Sequence, residues 1–256
     1  MVNQIKPKIS IVTVVYNGEK YLEQTLKSVI SQTYDNIEYI IIDGQSQDNT
    51  LNIIKQYEEY ISIWKSEKDY GIYDAMNKGI DLATGEFIWF LNAGDEIYDI
   101  TTVENVFKDY NNEDVFYGVT QLIKENGPIK LATKVTQVPK VLTDKSFIHG
   151  MAVSHQSIII KTKLIQKYNL DYTIVSDHDW IISALKKATY IKNTNSILSK
   201  YLLGGFSTQN SYKGWEEKLI IMKNQYGMSA YIINIFYFIQ ALLKKNIKKY
   251  ILRRSL

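Results

Sequence analysis

This 256-residue chain predicts an α/β fold on a mostly parallel sheet, and three observations carry that reading. Ile9-Ser10-Ile11-Val12-Thr13-Val14-Val15 is β-branched and almost continuously apolar, as expected of a strand buried on both faces of a parallel sheet. Strand and helix patterns then alternate through the first ninety residues or so, which is how βαβ units are built. Finally, the runs Glu38-Tyr39-Ile40-Ile41-Ile42-Asp43-Gly44 and Phe87-Ile88-Trp89-Phe90-Leu91-Asn92-Ala93-Gly94-Asp95 each end in a carboxylate and a turn-permitting glycine. The carboxyl ends of strands form the ligand edge of open α/β sheets.

The elements follow in order. Tyr16-Asn17-Gly18 ends the first strand, and Leu22, Leu26, Val29 and Ile30 then recur at helical spacing among Glu19, Lys20, Glu23 and Lys27. The next strand is expected at Tyr39 to Asp43. Ser46 to Thr50 offers caps for a second helix whose apolar face is Leu51, Ile54 and Tyr57, with Asp48 the best capping residue. A third strand is expected at Ile61 to Trp64. From Gly71 to Gly85, Ile72, Ala75, Met76, Gly79, Ile80 and Ala83 repeat with helical offsets, Gly85 is expected to stop that helix, and the strand Phe87 to Leu91 follows. Beyond Ile100 the pattern loosens. A strand is read at Val115 to Val119, and Ile123 to Lys145 carries few periodic cues. The organisation predicted is one domain over residues 1–215 and a C-terminal helical extension over 216–256.

Composition excludes some chemistry. Cys is absent, so neither a disulfide framework nor a thiolate metal site exists, in keeping with a reducing compartment. The three histidines, His149, His155 and His178, lack the partners of a zinc site. Net charge is +3, but residues 218–256 hold eight Lys or Arg and no acid, which leaves −5 for residues 1–217. No signal peptide is visible. The longest apolar stretch, Ala230 to Leu243, has 14 residues broken by Asn234 and Gln240, short of the roughly 20 that span a bilayer. Its aromatic residues, followed by Lys244, Lys245, Lys248, Lys249, Arg253 and Arg254, suit a helix lying on an anionic membrane surface. The alternative is a helix packed on the domain or on a second copy of the chain. With no recognition motif, the basic tail gives no support to nucleic-acid binding.

The stretches Ile9 to Asn17, Asp43 to Thr50, Asp74 to Gly79 and Phe90 to Asp95 occur in an order and spacing that resemble family 2 glycosyltransferases of the GT-A fold, as found in bacterial polysaccharide and lipid-linked oligosaccharide synthesis. The resemblance runs from about Lys8 to about Ser207. His155-Gln156-Ser157, Ser176-Asp177-His178-Asp179-Trp180 and Gly204-Gly205-Phe206-Ser207 match its later landmarks. It implies an inverting transfer of a sugar from a nucleoside diphosphate donor to a hydroxyl of a glycan or lipid-linked acceptor, on the cytoplasmic face of the cell membrane.

The resemblance also distributes roles. Asp43 would hold the nucleoside, with Tyr16 and Asn17 bordering the base, and Lys78 would face the donor phosphates unless it pairs with Asp74 one turn away. The family's acidic motif is thinned here, since Asn92 and Gly94 stand where acids are commoner, although Asn92 would still be among the residues that bind the donor. Asp95 remains to meet a Mg²⁺ or Mn²⁺ carried by the donor diphosphate, and Glu96 is a weaker substitute. Asp177 would be the base that deprotonates the acceptor, with Asp179 the runner-up. Taken alone, the same residues read as a helix start capped by Ser176. His155 and Gln156 would lie near the acceptor or diphosphate, and Gly204 to Ser207 would form a flap or a turn. Two other functions compete. A nucleotidyltransferase would carry a glycine-rich basic loop after its first strand, which Tyr16-Asn17-Gly18-Glu19-Lys20 is not. The thinned acidic motif motivates a non-catalytic nucleotide-sugar-binding module.

Overall fold

The computed structural model describes residues 6–126, 129–204 and 211–240. Among them nine strands form one sheet: β1 (Ile9–Val15), β2 (Ile37–Asp43), β3 (Ile63–Ser66), β4 (Phe87–Phe90), β5 (Glu96–Ile97), β6 (Val115–Asn126), β7 (Ile129–Val135), β8 (Ile158–Lys161) and β9 (Ile191–Leu202). The helices are α1 (Leu22–Ile30), α2 (Thr50–Gln56), α3 (Ile72–Leu82), α4 (Thr102–Phe107), α5 (Ser176–Leu185) and α6 (Ser211–Tyr226), and a last one covers residues 228–240. The spatial order is β3-β2-β1-β4-β8-β6-β9-β5, with β7 hairpinned onto β6. β3, β2, β1 and β4 run parallel, so their carboxyl ends share one edge.

Both faces of this sheet are covered, which explains its near-continuous apolar strands. Alternation sends Ile9, Ile11 and Val15 to a core with Leu22, Leu26 and Val29 of α1 and Val103 and Phe107 of α4. Val12 and Val14 face the other core, with Tyr73 and Met76 of α3 and Trp180 and Ile181 of α5. Leu22 and Leu26 are fully buried, each contributing about 1.5–3 kcal/mol of burial free energy. Residue 215, where the sequence divides the chain, falls inside α6, whose Ile221 and Met222 also enter the core.

Several boundaries differ from those read off the sequence. β3 starts two residues later than expected, because Ile61 closes the 3-10 turn Glu58–Tyr60 by donating its N–H to the Glu58 carbonyl. The helix expected to reach Gly85 ends at Leu82, with Ala83 already extended. Gly85 is therefore not a helix stop. It is required because a Cβ there would lie 2.6 Å from the Ser10 backbone nitrogen of β1, too close for any side chain. Asp48 bonds the backbone and hydroxyl of Thr50 from two residues ahead, outside the capping position, which belongs to Asn49. Ser176 is the first helical residue of α5 and not its cap; its Oγ donates to the Asn169 carbonyl at 2.8 Å. The weakly patterned stretch after Ile123 contains the β6–β7 hairpin. Much of β7 is exposed, so no burial alternation announced it, and its register comes from the hairpin partner.

The last helix packs on the domain through one side. Ala230 and Asn234 are buried, and Asn234 Nδ2 donates to the Ile148 carbonyl at 2.9 Å. Ile232, Phe236 and Ile239 are exposed on its other side, and Ile233 is exposed on its flank. No helix among the described residues is long and apolar enough to cross a membrane. The basic cluster from Lys244 to Arg254 and the stretch Gly205-Phe206-Ser207 lie outside the described residues.

Candidate active site

Two hollows open beyond the carboxyl ends of β1 and β4, of about 600 Å³ and about 320 Å³, and they share Tyr21, Ile72, Asn92, Ala93 and Thr173 as common wall. They form one cleft. Tyr16 and Asn17 line the larger part, whereas Asp95, His155, Gln156 and Asp177 line the smaller.

The nucleoside candidates are held by strand-end loops. Asn17 adopts a left-handed φ of 48°, which Asn tolerates, and its Oδ1 accepts the Gln47 N–H at 2.8 Å while its own N–H donates to Ser46 Oγ. That pair stitches the loop after β1 to the loop after β2. Tyr16 stays exposed beside it. Asp43, at the end of β2, is fully buried; its Oδ2 accepts the Ser46 N–H at 3.1 Å and the Ser66 hydroxyl at 2.6 Å. Its Oδ1 has no hydrogen-bond partner among the described residues. A buried carboxylate oxygen left unpaired is costly, and Asp43 itself lines neither hollow: it lies beneath the loop that it anchors at Ser46.

The turn after β4 accounts for glycine at one of the two positions where acids are commoner, and nothing in the structure explains Asn92 at the other. Gly94 has φ +106°, a conformation that side chains rarely adopt, and its N–H donates to Thr25 Oγ1 at 2.9 Å. An acid at 94 would strain this turn. Asp95, 4% exposed, accepts the Leu202 N–H at 3.3 Å and reaches the cleft. The Asn92 Oδ1 is buried there without a partner among the described residues. No group of three His, Cys, Asp or Glu able to hold a metal occurs among the described residues. One carboxylate and one amide oxygen fit a hard cation that brings its remaining ligands as donor phosphate and water.

Asp177 and Asp179 are two residues apart on α5, hence on opposite sides of the helix. Asp179 faces away from the cleft, its Oδ1 accepting Gln225 Nε2 of α6 at 2.7 Å. Asp177 faces the cleft. Its Oδ1 accepts the Tyr73 hydroxyl at 3.2 Å and its own helix's His178 N–H at 2.9 Å. Desolvation pushes its pKa up from 3.8 to about 6, although these hydrogen bonds pull the other way. Tyr73 OH shares its single proton between this carboxylate and the Ile174 carbonyl, the latter at 2.9 Å, and therefore ties the carboxylate to the loop ahead of it.

Behind Asp177 lies an aromatic floor. Tyr168 stacks on Trp180 at 4.9 Å, and His155 stacks on Phe90 at 5.4 Å. His155 Nε2 pairs with Tyr168 OH at 2.7 Å, and burial lowers its pKa to about 4. At neutral pH it is an uncharged wall and no counter-ion for phosphate. Gln156 joins that wall, its carbonyl accepting Trp89 Nε1 at 3.0 Å. Lys78 is not brought to the cleft wall: its Nζ donates to the Lys68 carbonyl at 2.7 Å and lies 3.3 Å from Glu67 and 3.6 Å from Asp74. Sequence reasoning missed Tyr73, read only as part of a helix. Its spacing of 104 residues from Asp177 leaves no local signal.

The profile of glycosyl transferase family 2 matches residues 10–184. An uncharacterized glycosyltransferase of Mycobacterium tuberculosis is 31% identical over 190 residues, covering 70% of this chain and 69% of the relative. A PGL/p-HBAD biosynthesis glycosyltransferase of the same species is 26% identical over 223 residues, covering 84% and 81%. Among solved structures, S. aureus TarS 1–349 in complex with UDP-GlcNAc has TM-score 0.63 and 20% identity, over 86% of this chain and 67% of that one. The mannosyltransferase PcManGT from Pyrobaculum calidifontis, in complex with GDP-Man and Mn²⁺, has TM-score 0.62 and 13% identity, over 86% and 64%. At such identities the structural likeness establishes the GT-A fold.

Proposed function

The chain belongs to glycosyl transferase family 2, and we propose that it is an inverting enzyme that moves a sugar from a nucleoside diphosphate to a hydroxyl of a glycan or lipid-linked acceptor in cell-surface polysaccharide synthesis. The family assignment decides against the nucleotidyltransferase reading. The observation that carries the proposal is Asp177, a carboxylate with pKa raised to about 6 that faces the same cleft as Asp95 and Asn92.

In this reading the nucleoside lies against Tyr16 and Asn17 with Asp43 accepting a hydrogen bond from the base or ribose. Lys78 would meet a phosphate only after leaving the Lys68 carbonyl. The diphosphate points at the turn Asn92 to Asp95. A Mg²⁺ or Mn²⁺ arriving with the donor would offset the charge that builds on the leaving diphosphate, with Asp95 and the Asn92 amide oxygen as its protein ligands. The acceptor hydroxyl lies against Asp177, near the wall of His155 and Gln156. Asp177 takes the hydroxyl proton as the oxygen forms its bond to the anomeric carbon, while the carbon–oxygen bond to the diphosphate breaks on the opposite face. Single displacement inverts the anomeric centre. A pKa near 6 leaves Asp177 ionised at neutral pH yet more basic than an ordinary carboxylate.

The last helix supports a place at the inner surface of the membrane. Its exposed Ile232, Ile233, Phe236 and Ile239 and the basic residues that follow in sequence fit an anionic lipid surface, close to a lipid-linked acceptor. A second copy of the chain on that helix face is the competing partner. The test of the catalytic reading is acceptor-dependent release of nucleoside diphosphate across a panel of nucleotide sugars, with the anomeric configuration of the product read by NMR. A retained configuration would refute the single displacement. A pure binding module would release no nucleoside diphosphate.

A further inference from the structure

Helix α6 lies beyond the stretch matched by the family, yet one of its side chains reaches the loop that leads into Asp177. Glu217 is 5% exposed, and both of its carboxylate oxygens are used there. Oε1 accepts the Thr173 N–H at 2.8 Å and the Thr173 hydroxyl at 3.0 Å. Oε2 accepts the Ile174 N–H at 2.8 Å and the Val175 N–H at 3.1 Å. Thr173 and Ile174 line the cleft, and Val175 immediately precedes α5. From the other side, Tyr73 OH holds the Ile174 carbonyl and the Asp177 carboxylate together.

Close helix contact makes this possible. Gly214, nearly one turn before Glu217, lies so near the loop that a Cβ would stand 3.2 Å from Ile174 Cγ2. Further along α6, Gln225 Nε2 donates to Asp179 Oδ1 and Ser183 Oγ of α5, and Asn224 Nδ2 donates to Tyr172 OH. α6 is thus fastened along α5 and its leading loop at three levels. A carboxylate accepting three consecutive backbone N–H groups is among the stronger local constraints available to a loop, since hydrogen bonds to a charged group are about twice as strong as neutral ones.

We propose that Glu217 is a positioning residue for transfer: by gathering the amides of Thr173, Ile174 and Val175, it fixes the start of α5 and so the placement of Asp177 against the acceptor. This rests on the reading of Asp177 as the base. Displacing a catalytic group by about 1 Å can lower turnover by about 100-fold. Thr173 also borders the larger hollow, but the loops after β1, β2 and β4 that would hold the donor are not bonded to Glu217, so donor affinity should change less than turnover.

Glu217→Gln tests it, because the amide keeps one acceptor oxygen but turns N–H groups toward N–H groups. The expected result is a kcat lower by about 10- to 100-fold with donor affinity within a few-fold of wild type. Because Glu217 acts through Asp177, Glu217→Gln should add almost nothing in an Asp177→Asn background. Wild-type turnover of Glu217→Gln, or losses that multiply in the double variant, would overturn the proposal. If Glu217→Gln does not fold, Gly214→Ala, which presses α6 off Ile174, should lower kcat more than donor affinity, and a wild-type kcat there refutes the brace. An Asp177→Asn enzyme that keeps its rate refutes the base assignment itself; a slow Asp177→Asn beside a fast Glu217→Gln refutes only the role of Glu217.

Discussion

Replacing Asp177 by Asn should make the protein more stable at neutral pH while removing its transfer activity. In the folded chain the carboxyl pKa stands near 6 against an ordinary 3.8, with desolvation the largest cause. A difference of roughly two units corresponds to about 3 kcal/mol of disfavoured ionisation, and residual solvent contact at the cleft reduces this to about 2 kcal/mol. Asn retains the oxygen that accepts from Tyr73 OH and the His178 N–H, so those two bonds survive the change. The sign follows from proton counting. Between pH 3.8 and about 6 the folded state holds more protons than the unfolded chain, so wild-type stability falls as pH rises through that window. Below it both states are protonated and the two proteins should melt alike. Above it Asp177→Asn should melt higher by about 4–8 °C, taking about 2–4 °C per kcal/mol for a domain of this size. Turnover of the wild type should run the other way, rising with pH through about 6 as the base ionises. Thermal unfolding by circular dichroism from pH 4 to 8 checks the first part. A stability difference that does not grow with pH, or an Asn variant that melts lower at pH 8, would refute the account of a desolvated base.

Three further outcomes are expected. Asp95→Ala should lose Mn²⁺-dependent donor binding in calorimetry as well as turnover; transfer that persists in excess chelator would contradict a role for this carboxylate beside a metal. Asp43→Asn should weaken nucleotide affinity by about 10- to 100-fold, the range of a charge-assisted hydrogen bond, with kcat at saturating donor little changed; unaltered affinity would place the nucleoside elsewhere. Phe236→Glu, on the exposed side of the last helix, should reduce co-sedimentation with anionic vesicles without lowering the melting temperature, and wild-type binding should weaken with added salt while keeping an apolar remainder. Equal sedimentation of both proteins would favour a second copy of the chain on that face.

How much could be read in advance depended on whether the cause of a feature was local. β1 has the bounds that its run predicts, and α1 buries the expected Leu22, Leu26 and Val29 although Glu19 and Lys20 stay outside it, because an unbroken β-branched run and a 3.6-residue apolar stripe express burial directly along the chain. The two strand-end carboxylates and the late acidic cluster were likewise visible as residues at turns. What the pattern misplaced arose from contacts distant in sequence. Gly85 looks like a helix stop but is small because Ser10 passes against it, and Ser176 looks like a cap but bonds Asn169 from inside the helix. β7 has no burial pattern of its own, so only its pairing with β6 reveals it. The site shows the same division. Sequence offers Asp177 and Asp179 as near equals, but α5 turns the first toward the cleft and the second toward Gln225. Tyr73 and Glu217 approach the Asp177 region from 104 residues upstream and 40 or more downstream. The chain's own pattern specified the parallel strands β1 to β4, their ligand edge and the kinds of group that meet there, since periodicity and turn chemistry are written residue by residue. By contrast, β5, β8 and β9 carried no strand reading and join the sheet through pairing with distant segments. Which carboxylate acts, and what holds it, was decided only by tertiary packing, because a side chain's partners and desolvation come from segments that the fold brings together.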